Sequence, residues 1–160
     1  MSARNFLSLL CACVLTSTAL GQQSTTPAPA APAAPDDVRM IRYKISAGDL
    51  PSAESILEYH RTEKGEDGDY LLGLAWVARG AVLMGDWKAA TSYAAAAREA
   101  AEAKLKTPAD YDANREAVYA LGTSIEVQAQ ALVAAGKKAE AIRYLEESAR
   151  AQETRPLRPH

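Results

Sequence analysis

The sequence predicts an all-α fold, a right-handed stack of about three helical hairpins that follows an export signal and a Pro/Ala-rich linker. Three observations carry this. Leu71, Leu74, Ala75, Ala78 and Val82 fall at i, i+3, i+4 and i+7 spacing, which gives one helix a continuous buried face. Gly85 then closes that helix and Asp86 caps the next, where Trp87, Ala90, Tyr93, Ala94 and Ala97 return to helical spacing, so the unit is an αα-hairpin with small residues at the close approach. The same register recurs twice: Gly48-Asp49-Leu50 with Ala53 and Leu57 lies before this hairpin, and Gly136 with Ala141 and Leu145 after it.

Taken in order, the chain opens with one basic residue, Arg4, an apolar run from Phe6 to Leu15, and small residues around Ala19 and Gly21. That is the layout of a secretory signal, residues 1–21, with cleavage expected after Gly21. The apolar run is too short to span a bilayer core of about 30 Å. Lipoprotein processing at Cys13 is the alternative, because Leu10-Cys11-Ala12-Cys13 places leucine and alanine roughly as a lipobox does. Both cysteines lie in this segment, so cleavage after Gly21 leaves no thiol for disulfides, metal ligation or catalysis. Residues 22–35, QQSTTPAPAAPAAP, read as an extended, polyproline-like linker.

The helical domain is expected over 36–152. Asp36-Asp37 place carboxylates where a first helical turn leaves its amides unpaired, and Val38, Ile41 and Ile45 supply the apolar stripe up to Ala47-Gly48. Pro51 suits the first turn of the next helix, on which Ala53, Ile56, Leu57 and His60 follow. Arg61 to Asp69 reads as a polar loop, with Asp69 capping the helix that begins near Tyr70. The helix through Ala97 continues over REAAEAKL and stops before Pro108. A loop is expected around Thr107 to Asp110, then a helix from about Asp112 to Ala135 with Val118, Leu121, Ile125, Ala129 and Leu132 on one face. Lys137 to Ala149 closes the third hairpin, and residues 153–160 form a flexible tail.

A formal net charge of -2 gives no field that would draw nucleic acid, and no polybasic run suits a membrane surface. No Gly-rich phosphate loop, nucleophile elbow or His-Glu zinc motif occurs, so the chain is read as a non-enzyme without a cofactor or metal. His60 and His160 are too few for a metal cluster, and Glu63, Glu66, Asp67 and Asp69 lack the ligand spacing of a calcium loop. Trp76 and Trp87 are expected to wedge between hairpins.

A helix-turn-helix unit with glycine at the turn, alanine five residues on and a large residue four beyond that resembles the tetratricopeptide repeat, in degenerate form, since Gly48, Gly85 and Gly136 are unevenly separated. The resemblance implies that the first helix of each hairpin lines a concave groove. Arg42, Arg79 and Gln130, each six residues before its turn glycine, then become the candidate partner-binding positions. Arg79 is the only charge between Leu71 and Met84, and a guanidinium fork suits a carboxylate, so an acidic or C-terminal peptide group is the expected ligand. Stacking on neighbouring helices or pairing with Glu126 is the structural role weighed against it.

The segments LAWVARGAVLMGDWKAATSYA and ALGTSIEVQAQALVAAGKKAEAIRYLEE are also similar to the helical N-terminal region of exported TlpA-type thioredoxin-like proteins, a likeness covering most of Asp37 to Gln152. No Cys-x-x-Cys follows before His160, so no redox residue carries over. The expected function is a non-catalytic, exported interaction or scaffold module, periplasmic or secreted, that takes a protein or peptide partner. The alternative is the helical accessory region of an envelope thiol-disulfide system, with a thioredoxin-like protein as partner.

Overall fold

Four aspartates set where the helices begin. Asp36, Asp49, Asp67 and Asp86 each accept a hydrogen bond from the backbone N–H three residues on, at 3.1, 3.2, 2.9 and 2.9 Å, which satisfies an amide that the first turn leaves unpaired. The computed structural model describes residues 36–153. The expected signal peptide, Cys13, the linker and the tail from Thr154 lie outside the described residues. Those residues form α1 (Asp37–Ser46), α2 (Leu50–Lys64), α3 (Gly68–Leu83), α4 (Trp87–Lys104), α5 (Pro108–Ala113), α6 (Arg115–Ala134) and α7 (Lys138–Glu153), with no strand among them. No helix described is long and apolar enough to cross a membrane.

Three of the connections are the same turn. Gly48, Gly85 and Gly136 sit at φ 76°, 74° and 76°, a left-handed conformation that glycine adopts without a Cβ penalty. Each glycine N–H donates to the carbonyl three residues back, and the following residue donates to the carbonyl five back, from Asp49 to Lys44, Asp86 to Ala81 and Lys137 to Leu132, all at 2.9 Å. This paired closure satisfies the last carbonyls of α1, α3 and α6 and folds the next helix back on each.

α3 lies at the centre, in contact with α1, α2, α4 and α6. Its buried residues, Leu71, Leu74, Ala75, Val77, Ala78 and Ala81, keep the continuous face expected, which Gly73 and Gly80 widen to more than half of the helix, while Leu72, Trp76, Arg79 and Leu83 lie on the less buried side. The fully buried residues of α4 are alanines, Ala90, Ala94, Ala97 and Ala101, with the larger Tyr93 packed beside them against the core. Side chains as small as alanine bring helix axes together at the short end of the usual range. α6 packs on both α3 and α4, and α7 on α6.

The approach of α1 and α2 to α3 depends on two glycines one heptad apart. A Cβ at Gly73 would lie 2.7 Å from Leu57 Cδ1 and 3.1 Å from Ile41 Cδ1, and one at Gly80 would lie 2.9 Å from Ile45 Cγ1. Gly122 on α6 differs, with no atom within 4 Å of the Cβ position. Gly122→Ala is therefore expected to stabilise the domain by about 0.5–1 kcal/mol, because alanine removes backbone entropy from the unfolded chain at no steric cost. Thermal unfolding by circular dichroism reads this directly, and a lowered melting temperature would contradict it.

Several boundaries differ from those expected. α2 continues through Lys64, into the stretch read as a loop, where Arg61 pairs with Glu58 and Lys64 with Asp37. Asp67, not Asp69, caps α3, and its carboxylate is fixed by His60 as well as by the Tyr70 N–H. The expected loop at Thr107 to Asp110 opens α5 instead. Pro108 occupies the first turn, and Asp110 accepts from the Lys106 and Thr107 N–H groups at 2.9 and 2.6 Å. α6 accordingly starts at Arg115, later than Asp112, and Val118 is 38% exposed, off the buried stripe that Leu121 and Ala129 keep. Trp87 is also partly exposed, with no aromatic partner among the described residues, so it does not act as the wedge expected of it.

Candidate partner-binding face

Arg42 on α1, Arg79 on α3 and Gln130 on α6 hold the same place relative to three turns of one geometry. α1 packs on α3, and α3 on α6, so the three residues fall along adjoining helices. Trp76 lies one helical turn before Arg79 on the same face of α3. The Arg42 guanidinium carbon stands 4.6 Å from the centroid of the Trp76 ring, and that of Arg79 stands 5.9 Å from Trp76 and 5.5 Å from Tyr119. The two rings are tilted at 32° with centroids 6.2 Å apart. Two cations thus border a shared aromatic platform, each within the reach of a ring quadrupole.

Beyond the platform the contacts become polar. Arg79 Nη1 donates to the Tyr119 hydroxyl at 2.9 Å, Nη2 donates to the Glu126 carboxylate, and Gln130 Nε2 donates to the other oxygen of Glu126 at 3.1 Å. Tyr119, Glu126 and Gln130 share one face of α6 through i+7 and i+4 spacing. Arg79 and Gln130 therefore converge on one carboxylate, while Arg42 joins them through Trp76.

The arginines are not equivalent. Arg79 is paired, yet its Nε–H is shielded from solvent and has no acceptor, so the guanidinium falls short of its hydrogen-bonding capacity. The Arg79 and Glu126 side chains are 34% and 46% exposed, where an ion pair is screened and contributes little. Arg42 is exposed and has no carboxylate partner among the described residues, so its charge is balanced only by the Trp76 ring.

Trp76 and Tyr119 are the members of this face that the sequence did not assign to it. The available signal for Trp76 is its position three residues before an arginine that is alone in an apolar helix. For Tyr119 it is the i+7 relation to Glu126, which becomes useful only once α6 is known to lie on α3.

A second polar cluster sits at the other end of α1. His60 is 2% exposed; its Nδ1 is 2.7 Å from Asp37 Oδ2 and its Nε2 is 2.9 Å from Asp67 Oδ1, while Lys64 Nζ donates to Asp37 Oδ2 at 2.7 Å. Burial on its own lowers the imidazole pKa, but the hydrogen bonds to Asp67 and Asp37 outweigh it and raise the value above 6.5. Burial pushes Asp37 up, and Lys64 and His60 more than reverse it. The Tyr70 N–H and His60 do the same for Asp67, so both carboxyls titrate below 3.8. The two aspartates bind opposite edges of the ring, so they do not converge on one point, and no group of three metal-ligating side chains occurs among the described residues. The cluster ties the start of α1 and the start of α3 to the end of α2.

Comparison with protein families, curated proteins and solved structures finds no match for the chain. The class that the structure defines is an all-helical domain, and its function is argued from the face itself.

Proposed function

We propose that the protein is a non-catalytic, exported interaction module whose helix pairs stack as degenerate tetratricopeptide-like hairpins, and that the Arg42, Trp76 and Arg79 face binds a carboxylate-bearing peptide segment of a protein partner. The observation that carries this reading is the Arg42 guanidinium, stacked on Trp76 without a carboxylate partner among the described residues, beside a second arginine held in an exposed and exchangeable pair. Arg42 makes the first contact through charge. Arg79 then releases Glu126 and takes the ligand carboxylate in a fork. Gln130, freed from Glu126, supplies a further amide donor at the end of the face. The aromatic platform offers apolar area for the residue that precedes the carboxylate.

A labelled peptide that is rich in Asp and Glu and ends in a free carboxylate is the suitable probe, compared with its Asn/Gln amide counterpart by fluorescence anisotropy. The acidic peptide is expected to bind, and Arg42→Glu and Arg79→Glu are each expected to weaken it by at least about tenfold, equivalent to about 1.4 kcal/mol. Binding should also weaken as salt rises, because the contacts are near the surface. Equal affinity of both charge-reversed proteins, with their melting curves unchanged, would contradict the proposal.

A further inference from the structure

Counted from the three turn glycines, the residues seven before, three before and nine after form equivalent sets: Ile41, Ile45 and Leu57; Ala78, Val82 and Ala94; Ala129, Val133 and Leu145. Each set is contributed by both helices of a pair. α3 covers the first set, with Gly73 and Gly80 so close that a Cβ would collide with these three side chains, which are left 1%, 7% and 4% exposed. The second set lies on α3 and α4, the two helices against which α6 packs, and Ala78 and Ala94 are fully buried. In the third set Val133 is 54% and Leu145 45% exposed, and Ile142 beside them is 50% exposed. Together with Gly122, Ile125 and Ala129 they line a groove of about 450 Å³ between α6 and α7.

The helices that cover the first two sets follow one rule. Twelve and five residues before its own turn glycine, α3 has Gly73 and Gly80, and α6 has Ser124 and Ala131. Small residues at these places let a helix settle between the two helices of the preceding pair. α1 breaks the rule, with Tyr43, 69% exposed, in the place of Gly80 and Ala131. A second copy of this chain therefore cannot seat its α1 in the groove in the same register.

We infer that the groove between α6 and α7 is a docking site for an amphipathic helix of a partner protein, one that presents small residues seven apart as α3 does. Val133, Ile142 and Leu145 supply the apolar contacts. The open space over Gly122 lets the incoming backbone come close, as Gly73 and Gly80 do in the opposite sense beneath Ile41, Ile45 and Leu57. The groove borders the Arg42 and Arg79 face, with Glu126 and Gln130 at the shared rim, and binds through apolar packing instead of charge.

The test uses a stapled, fluorescein-labelled peptide of the Gly68–Leu83 sequence as the probe, with anisotropy as the readout. The full chain is expected to bind it. Leu145→Glu and, separately, Val133→Lys should each weaken binding at least about tenfold, as should leucine at both peptide positions corresponding to Gly73 and Gly80, while Arg42→Glu leaves it unchanged. Both groove positions are about half exposed, and a melting curve for each variant verifies its fold. No binding, or binding indifferent to Leu145, Val133 and the peptide glycines, would overturn the inference. So would a dimer of the chain in sedimentation that Leu145→Glu dissociates, since the groove would then belong to a second copy.

Discussion

His60→Ala is expected to destabilise the domain by about 3 kcal/mol, measured by urea unfolding near pH 6. The imidazole is almost fully buried and bridges two carboxylates on different helices, so its removal leaves Asp37 in the interior without one of its two partners and opens a void. Breaking a buried, hydrogen-bonded charge network by removing one member costs roughly this amount. His60→Asn should recover part of the loss, since the amide keeps a donor near the Nδ1 position toward Asp37. The same cluster sets a pH dependence. His60 has its folded pKa raised, so its contribution is complete below 6.5, where the unfolded chain also holds the proton, and is lost as pH rises through the folded value. Asp37 and Asp67 have lowered values, so theirs is complete above 3.8 and lost as pH falls through the folded values. The cluster therefore stabilises most between about pH 4 and pH 6.5. The alkaline decline should be absent from His60→Ala, and its persistence there would exclude His60 as the cause.

Gly80→Leu should destabilise the domain by a similar amount, about 3 kcal/mol. Even the Cβ would stand 2.9 Å from Ile45 Cγ1 and 3.2 Å from both Cδ1 and Cγ2, and a branched residue next to its own backbone cannot swing aside as the end of a longer chain can. Relief requires α1 to move away from α3, which exposes Ile41 and Ile45. Gly80→Ala should cost less, since about 1 kcal/mol of gained helix propensity offsets part of the overlap. The contrast with the stabilising Gly122→Ala is informative. If both alanine variants raised the melting temperature, the tight contact between α1 and α3 would be wrong.

The helices were legible in the sequence wherever one turn geometry repeated. A glycine followed by aspartate, with alanine five residues beyond the glycine, located the α1–α2 and α3–α4 turns, because left-handed closure, carboxylate capping and a close helix approach each demand a particular residue type. α5 was not legible. A helix this short has no apolar stripe, and its start depends on Asp110 reaching back to two backbone amides. The end of α2 was misread for a related reason: Arg61 to Lys64 is polar, and its helical state is supported by Glu58 and by Asp37, the latter 27 residues from Lys64.

The candidate face was legible in part. Register alone aligned Arg42, Arg79 and Gln130, and Glu126 could be named as a partner of Arg79. Trp76 and Tyr119 as a platform depend on tertiary placement. His60 could be placed on a buried stripe, where the equivalent positions are Ala97 and Ser148, but its carboxylate partners sit 23 residues before it and seven after it, with no spacing rule to connect them.

The most direct measurement is an NMR titration of the protein with the acidic, free-carboxylate peptide, following the Trp76 indole N–H, the Arg42 and Arg79 Nε–H groups and the methyls of Val133, Ile142 and Leu145. The Trp76 and arginine signals are expected to shift together along one saturating curve and by more than those methyls, which meet the face only through Glu126 and Gln130 at the groove rim. Shifts confined to the groove between α6 and α7, or Arg42 and Arg79 signals that stay fixed at saturation, would contradict the proposed function.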